Sequence, residues 1–502
     1  MVDIWDMNAH YQIRYLDVEE SSSDDDTTHQ QLFKDIEPMK LEDVDEYHKH
    51  SSELKDFIFG VFSSSGLLFL MLIEVVKLIF AGHINDSSVV KGVGLGNTLI
   101  NVSCFSVWMG INRATEIFIS KSFKNIHDYY WECLLNKGRI SQAILFIPQV
   151  VFLIFSKKIL MWWGQEDAPS QIAETYIFAL VPGLFAMTQF ETSWKYLRAM
   201  TIFRPQMYIQ WAAILIHIIL SYLLAFTIEL GLTGVSISTS LVFWISLIAI
   251  TGYLWWNNDV FPENSWHSFN WNSFNNYDQF WKYSIASIII LWLVWSWFEI
   301  ITTFVYMLGT IEITASVVIF NIWFLSQAPA VTFFWIPSRV RDKINGEASN
   351  CAKRYLFKSL LFVLALNIII LVFHIFIPLI YHQNKIANAL VSKTLLFFWL
   401  VIFFEYSKAE KSGSLIYCDL KNYGRSVIFI IFWVAEALIL HLFTLLFDIN
   451  WKSLLLGEAF VITIAALIYM ILTFMRSSIK LLNEIMCQSR YEESPLKLPL
   501  LL

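Results

Sequence analysis

The sequence predicts an all-α polytopic membrane protein, with about twelve transmembrane helices in two six-helix bundles around a central cavity. Two observations carry this. The first is composition: 56% of the residues are hydrophobic and only 15% are charged, against roughly 25% in a soluble domain, and the mean hydropathy is +0.54. The second is arrangement. Apolar runs of spanning length recur along the chain and fall into two sets of equal size, separated by a polar linker.

Taken in order, residues 1–56 form an acidic tail. Its SSSDDDTTHQQ stretch buries no core, so the tail is expected to be disordered and cytoplasmic. No cleavable signal pattern opens the chain, and the first apolar run serves as both insertion signal and first span. Spans follow near 57–80, 92–117, 139–156, 170–194, 205–228 and 232–256, giving an N-terminal lobe over 57–256. The linker NNDVFPENSWHSFNWNSFNN occupies 257–276 and is expected in the cytoplasm. The second lobe, 277–476, carries spans near 277–308, 312–336, 356–380, 390–418, 424–447 and 453–475, and a cytoplasmic tail ends the chain at 477–502.

Orientation follows from the short loops. With the N-terminus inside, the cytoplasmic loops collect Lys121, Lys124, Lys137, Arg139, Lys195, Arg198, Arg204, Arg339, Arg341, Lys343 and others, while the opposite face holds few. An excess of Lys and Arg on one side marks the cytoplasm, so both termini are expected there.

Several function classes are excluded or disfavoured. The acidic charge of the tail argues against nucleic acid as a partner. The five cysteines are scattered, with neither metal nor redox spacing. No metalloprotease motif, nucleophile elbow or phosphate-binding loop occurs, which argues against an enzyme and against direct ATP drive. No cofactor is expected.

Charges inside the spans point to function, because a carboxylate in lipid costs several kcal/mol, roughly 2.5–3.5 on the milder scales. Glu299 lies near the middle of YDQFWKYSIASIIILWLVWSWFEIITTFVYMLG, after Trp292, Trp295 and Trp297. It is either a carboxyl neutralised by protonation or a neighbouring hydroxyl, or a proton or cation site lining a cavity. Glu74 and Lys77 are three apart on one helix face and form either a self-neutralised pair or a first-lobe proton site. Glu191 and Lys195 are spaced for a structural pair. Glu405 either pairs with Lys408 or shares the second-lobe cavity with Glu299. His217, His374 and His441 read as packing histidines. Pro182 and Pro205 are placed to free backbone groups at membrane depth, and Gly231, Gly234, Ser236, Ser238 and Ser240 recur at helix-packing spacing. Trp295 and Trp297 offer π-faces to a cationic ligand.

Particular stretches resemble the multidrug and toxin extrusion (MATE) transporters. GQEDAPSQIAETYIFALVPGLFAMTQFETSWKYLRAMTIFRP (Gly164–Pro205) carries the family's Pro-Gly-Leu-Phe-Ala as Pro182 to Ala186. HIILSYLLAFTIELGLTGVSISTSLVFW supplies Gly231 and Gly234, and AGHINDSSVVKGVGLGNTLINV supplies Gly82, His83, Gly94, Gly96 and Asn97. The resemblance covers about 57–470 and thins in the second half. There the family's Glu-Trp-Trp-x-aromatic-Glu appears as VWSWFE, so that Glu299 is kept and Val294 stands where the first Glu would be. In span ten Glu405, Ser412, Gly413 and Gly424 match, while Ile416 to Asp419 replace Arg-Gly-x-Gly. Near the end of span two Glu116 is kept, but Lys121 and Lys124 replace Gln and Gly.

The resemblance implies a secondary exporter of small organic solutes, driven by inward proton or sodium flow; separately, the chain is expected to act as a monomer in a plasma, vacuolar or endosomal membrane. It implies Glu299 and Glu405 as coupling groups and Trp295, Trp297, Asn97 and Glu74 as cavity residues. The edited motifs leave open a facilitator or lipid translocator without cation coupling.

Overall fold

The structure, a computed structural model, describes residues 65–84, 87–122, 134–199, 204–257 and 277–305, then 311–323, 367–381 and 385–396, with a few single residues beside them. The described residues are helical and contain no strand. Two compact units are present, 1–310 and 311–502.

In the first unit, α1 (Ser65–Gly82) precedes α2 (Ser87–Ile100), which runs through a π-turn (Asn101–Phe105) into α3 (Ser106–Ser122). α4 (Leu134–Ile154) leads to a short helix α5 (Ser156–Trp162), then to α6 (Asp167–Ala199), α7 (Arg204–Tyr222) and α8 (Gly231–Trp256). α9 (Tyr277–Val305) completes the unit. Helices α4, α6, α7 and α8 are each long and apolar enough to cross a bilayer. The short α5 has no counterpart among the expected spans: it is too short to span, and it carries Lys157, Lys158 and the exposed Trp162 at the end of α4.

The spans are apolar outside and polar inside. On α7, Gln206, Gln210, His217 and Ser221 are buried, whereas Trp211, Leu215, Ile219 and Tyr222 are exposed. That inversion suits hydrocarbon as the surrounding solvent, because an unpaired polar group has no partner there. Trp255 and Trp256, at the end of α8, are 71% and 83% exposed, as expected of an aromatic belt at the headgroups.

α6 is the hub, packing on α8, α2, α4 and α3. Its 33 residues make it about 50 Å long. It passes Pro182 without ending. The missing N–H leaves Phe178 without its usual donor; at the next carbonyl, Ala179, the Ser240 hydroxyl of α8 donates at 2.7 Å. Gly183 makes this approach possible, since a Cβ there would lie 2.4 Å from the Ser240 Cα. Pro205 frees nothing at depth; it is the second residue of α7, where its fixed φ suits a helix start.

The serines of α8 pair across the α7 hairpin. The Ser238 hydroxyl donates to the Val235 carbonyl, so Ser221 donates to Ser238 at 2.6 Å. Thr239 likewise donates to Val235, so it accepts from His217 Nε2–H at 2.9 Å. His217 is therefore a bonded packing histidine, as expected, with Nδ1 unprotonated.

α9 packs on α3 within the first unit. The contacts run antiparallel and in register. Glu299 meets Thr98 and Asn101, Ile288 faces Gly110, and Phe280 and Tyr283 lie against Phe118 with ring centroids 5.8 and 5.3 Å apart. Beyond α3, Tyr277 donates to Ser141 of α4 at 2.7 Å. In the second unit, the helix Ile311–Trp323 carries Asn321, which accepts from the Tyr381 hydroxyl at 3.3 Å. His374 is also bonded locally, Nδ1 donating to the Leu371 carbonyl at 2.7 Å.

Candidate functional site

Two carboxylates from opposite ends of the first unit's chain are held by the last turn of α2 and the first residue of the π-turn that follows it. Glu299 is 6% exposed. Its Oε2 accepts from the Thr98 hydroxyl and its Oε1 from the Asn101 amide, both at 2.7 Å. Thr98 and Asn101 are three residues apart and so share a helix face. Asn101 opens the π-turn, where the Ser106 N–H reaches back to the Asn101 carbonyl. The Val102 carbonyl, displaced from the α pattern, receives the Ser106 hydroxyl at 2.8 Å. Such turns inside α-helices are frequent at functional sites.

The other carboxylate, Glu74 of α1, is paired with Lys77. Asn97 of α2 donates to Glu74 Oε2 at 2.9 Å and accepts from the Tyr176 hydroxyl of α6 at 2.7 Å. Lys77 Nζ donates to that same hydroxyl at 2.8 Å and lies 5.5 Å from the ring centroid of Tyr176. The four side chains form a closed ring of polar contacts across three helices. Asn97 and Thr98 are adjacent in sequence, so the ring and the Glu299 carboxylate are neighbours on α2.

A further charged cluster lies toward the expected cytoplasmic end. Arg198 Nε donates to Glu116 Oε1 at 2.9 Å with both side chains 9% exposed, and Lys195 stacks over the Trp194 ring at 4.1 Å. Glu191, expected to pair with Lys195, is buried on the same helix. Among the described residues no cluster of His, Cys, Asp or Glu has the arrangement of a metal site.

A family model described as MatE matches residues 64–223, the stretch that holds Glu74, Lys77, Asn97, Thr98, Asn101 and Tyr176. Protein DETOXIFICATION 36 of Arabidopsis thaliana is 28% identical over 229 residues, 45% of this chain and 44% of that protein. Multidrug and toxin extrusion protein 1 of Xenopus tropicalis is 24% identical over 255 residues, 51% of this chain and 44% of that protein. The crystal structure of the eukaryotic MATE transporter AtDTX14 superposes with a TM-score of 0.68 at 16% identity, over 84% of this chain and 95% of that one. Residues 64–223 thus resemble the MATE family.

The matches to these curated MATE relatives span 44% of their length. The likeness of fold reaches further. An inward-facing structure of a multidrug resistance MATE family transporter matches with a TM-score of 0.67 at 15% identity, over 84% of this chain and 98% of that one. The all-α fold of the twelve-helix MATE proteins, integral to a membrane, is thus established for this chain.

Of the residues singled out from sequence, the structure brings Glu74 and Asn97 together and buries Glu299 close by. Trp295 and Trp297 are on α9, in the turns leading to Glu299; Glu405 lies outside the described residues. Sequence reasoning missed Thr98, Asn101 and Tyr176. A signal existed for the first two, since GNTLIN places Asn97, Thr98 and Asn101 at helical spacing inside an apolar run.

Proposed function

We propose that this chain exports small organic solutes by antiport with protons, through alternating access, and that Glu299 holds the exchanged proton. One observation carries the reading: a carboxyl buried in a spanning helix has both oxygens engaged by neutral side chains that accommodate either protonation state. When Glu299 is ionised, Thr98 and Asn101 donate to it. When it is protonated, the Thr98 hydroxyl can rotate to accept, because a hydroxyl is both donor and acceptor. Proton uptake then leaves both of these contacts in place. An ionised Glu299 also attracts a cationic substrate, so proton and solute exclude one another, and each drives the cycle through its differential affinity for the two states.

Glu405 is the second carboxyl of the proposal, and Trp295 and Trp297 are the aromatic surfaces offered to the solute. The six-helix lobes 57–256 and 277–476 are the bodies proposed to alternate, with both termini in the cytoplasm. Inward- and outward-facing MATE structures both match this fold, which supports a cycle of that kind. Sodium is the alternative coupling ion. A second reading, an uncoupled facilitator, is favoured by Val294, which removes one of the carboxylates the family pattern carries.

The test is Glu299→Gln in proteoliposomes loaded with a fluorescent organic cation. Loss of efflux driven by a pH gradient, with passive exchange retained, is expected. Near-normal proton-driven efflux in that variant and in Glu405→Gln would eliminate the proposed site. Wild-type flux indifferent to both pH and sodium gradients would favour the facilitator.

A further inference from the structure

We infer that the first unit carries a permanently loaded cation site, in which the Lys77 ammonium is a tethered occupant of a pocket built for a small monovalent cation. The ammonium is buried, with Lys77 4% exposed. It is held by oxygen donors from two helices, the Glu74 carboxylate of α1 and the Tyr176 hydroxyl of α6, and it lies against the Tyr176 ring. Asn97 closes the set. Its Oδ1 accepts from Tyr176 and its Nδ2 donates to Glu74; turning the amide over would offer the same oxygen to the pocket. Carboxylate, phenol and amide oxygens are the donors that hard cations select.

Two features distinguish this from an ordinary surface ion pair. Each partner in the ring is also held by another: Lys77 by Glu74 and Tyr176, Tyr176 by Lys77 and Asn97, and Glu74 by Lys77 and Asn97. A polar network closed in this way holds its members in place, although the Glu74 side chain itself is 36% exposed. The charge is also local. Among the described residues, His217 of α7 is a further titratable group near the ammonium, and its Nε2 is already bonded to Thr239. The cation that balances Glu74 therefore comes from the chain itself, three residues away on the same helix.

The consequence is that this pocket exchanges no cation with its surroundings, and removing the amine should convert it into a site for sodium or methylammonium. The experiment uses the full-length protein purified in detergent. Thermal unfolding is followed while sodium chloride, or methylammonium chloride, replaces choline chloride at constant ionic strength. The wild type should unfold at the same temperature throughout. Lys77→Ala should unfold earlier in choline and regain several degrees, saturably, in sodium or methylammonium. The double variant Glu74→Gln/Lys77→Ala should show no such recovery, because the anchoring charge is gone.

A saturable sodium effect on the wild type that Glu74→Gln removes would overturn the proposal. So would a folded Lys77→Ala indifferent to both cations, or one whose recovery persists in the double variant. If Lys77→Ala folds only when prepared in sodium or methylammonium, that rescue is the expected result by another route; failure of rescue while the double variant folds counts against it. Because the readout is equilibrium binding, a failure here leaves the proton-driven efflux through Glu299 to be judged on its own flux measurement.

Discussion

Replacing Gly110 with alanine should damage the first unit and its buried carboxylate together. An added Cβ would sit 2.5 Å from the Ile288 Cα and 2.7 Å from its backbone nitrogen. Both atoms belong to the α9 main chain, so no side-chain rotation relieves the clash. Ordinary contact begins at 3.4 Å, so α9 must retreat by about 0.9 Å. Glu299 is on that helix. A rigid retreat of this size would carry its 2.7 Å hydrogen bonds from Thr98 and Asn101 to about 3.6 Å, beyond hydrogen-bond range. Overpacking of this kind costs about 1–3 kcal/mol, and each lost bond to a charged group roughly 1.5–3 kcal/mol more. The control is Gly252→Ala on α8, where nothing lies within 4 Å of the new methyl; helix propensity alone should there give a gain of up to about 1 kcal/mol. Thermal unfolding in detergent and solute efflux from proteoliposomes are the assays. A Gly110→Ala protein as stable and active as the wild type would refute the close packing of α9 on α3, and with it the geometry assigned to Glu299.

Two more outcomes follow from charge. Breaking the buried Glu116–Arg198 pair from one side, by Glu116→Gln or Arg198→Ala, should destabilise by about 3–5 kcal/mol; a double-mutant cycle on unfolding temperatures checks it, and additive losses would show that the two groups do not interact. The Lys and Arg bias predicts that Asn85→Cys, between the first two spans, is labelled by a membrane-impermeant reagent from the side opposite the termini; labelling from the cytoplasmic side would reverse the orientation.

Much of the first unit could be read from the chain. Apolar runs long enough to span reappear as α4, α6, α7 and α8, because membrane insertion selects on length and hydropathy, which sequence displays directly. Local pairs were legible for the same reason: Glu74 and Lys77 are within one turn, and their contact is real. What could not be read was which face of one helix meets another. Thr98 and Glu299 are separated by 201 positions, and nothing in a single sequence joins them. Tyr176 looked like one aromatic among many, yet its hydroxyl bridges Lys77 and Asn97. Pro205 illustrates the reverse error: a residue type suited to breaking a helix in the bilayer in fact begins one.

The antiparallel fit of α9 along α3 also has a consequence for recombination. The partners of Glu299 are encoded before the polar linker and the carboxylate after it, so this contact is inherited as a pair across that linker. A chimera with a relative joined within 257–276 would set a foreign helix against Gly110 and Phe118 and separate Thr98 and Asn101 from the acid they bind. A junction placed just after Gly309 keeps the matched surfaces on one parental segment. Exchange of gene segments among relatives should therefore succeed with breakpoints beyond α9 and fail with breakpoints in the linker, although the linker's polar composition invites the cut there.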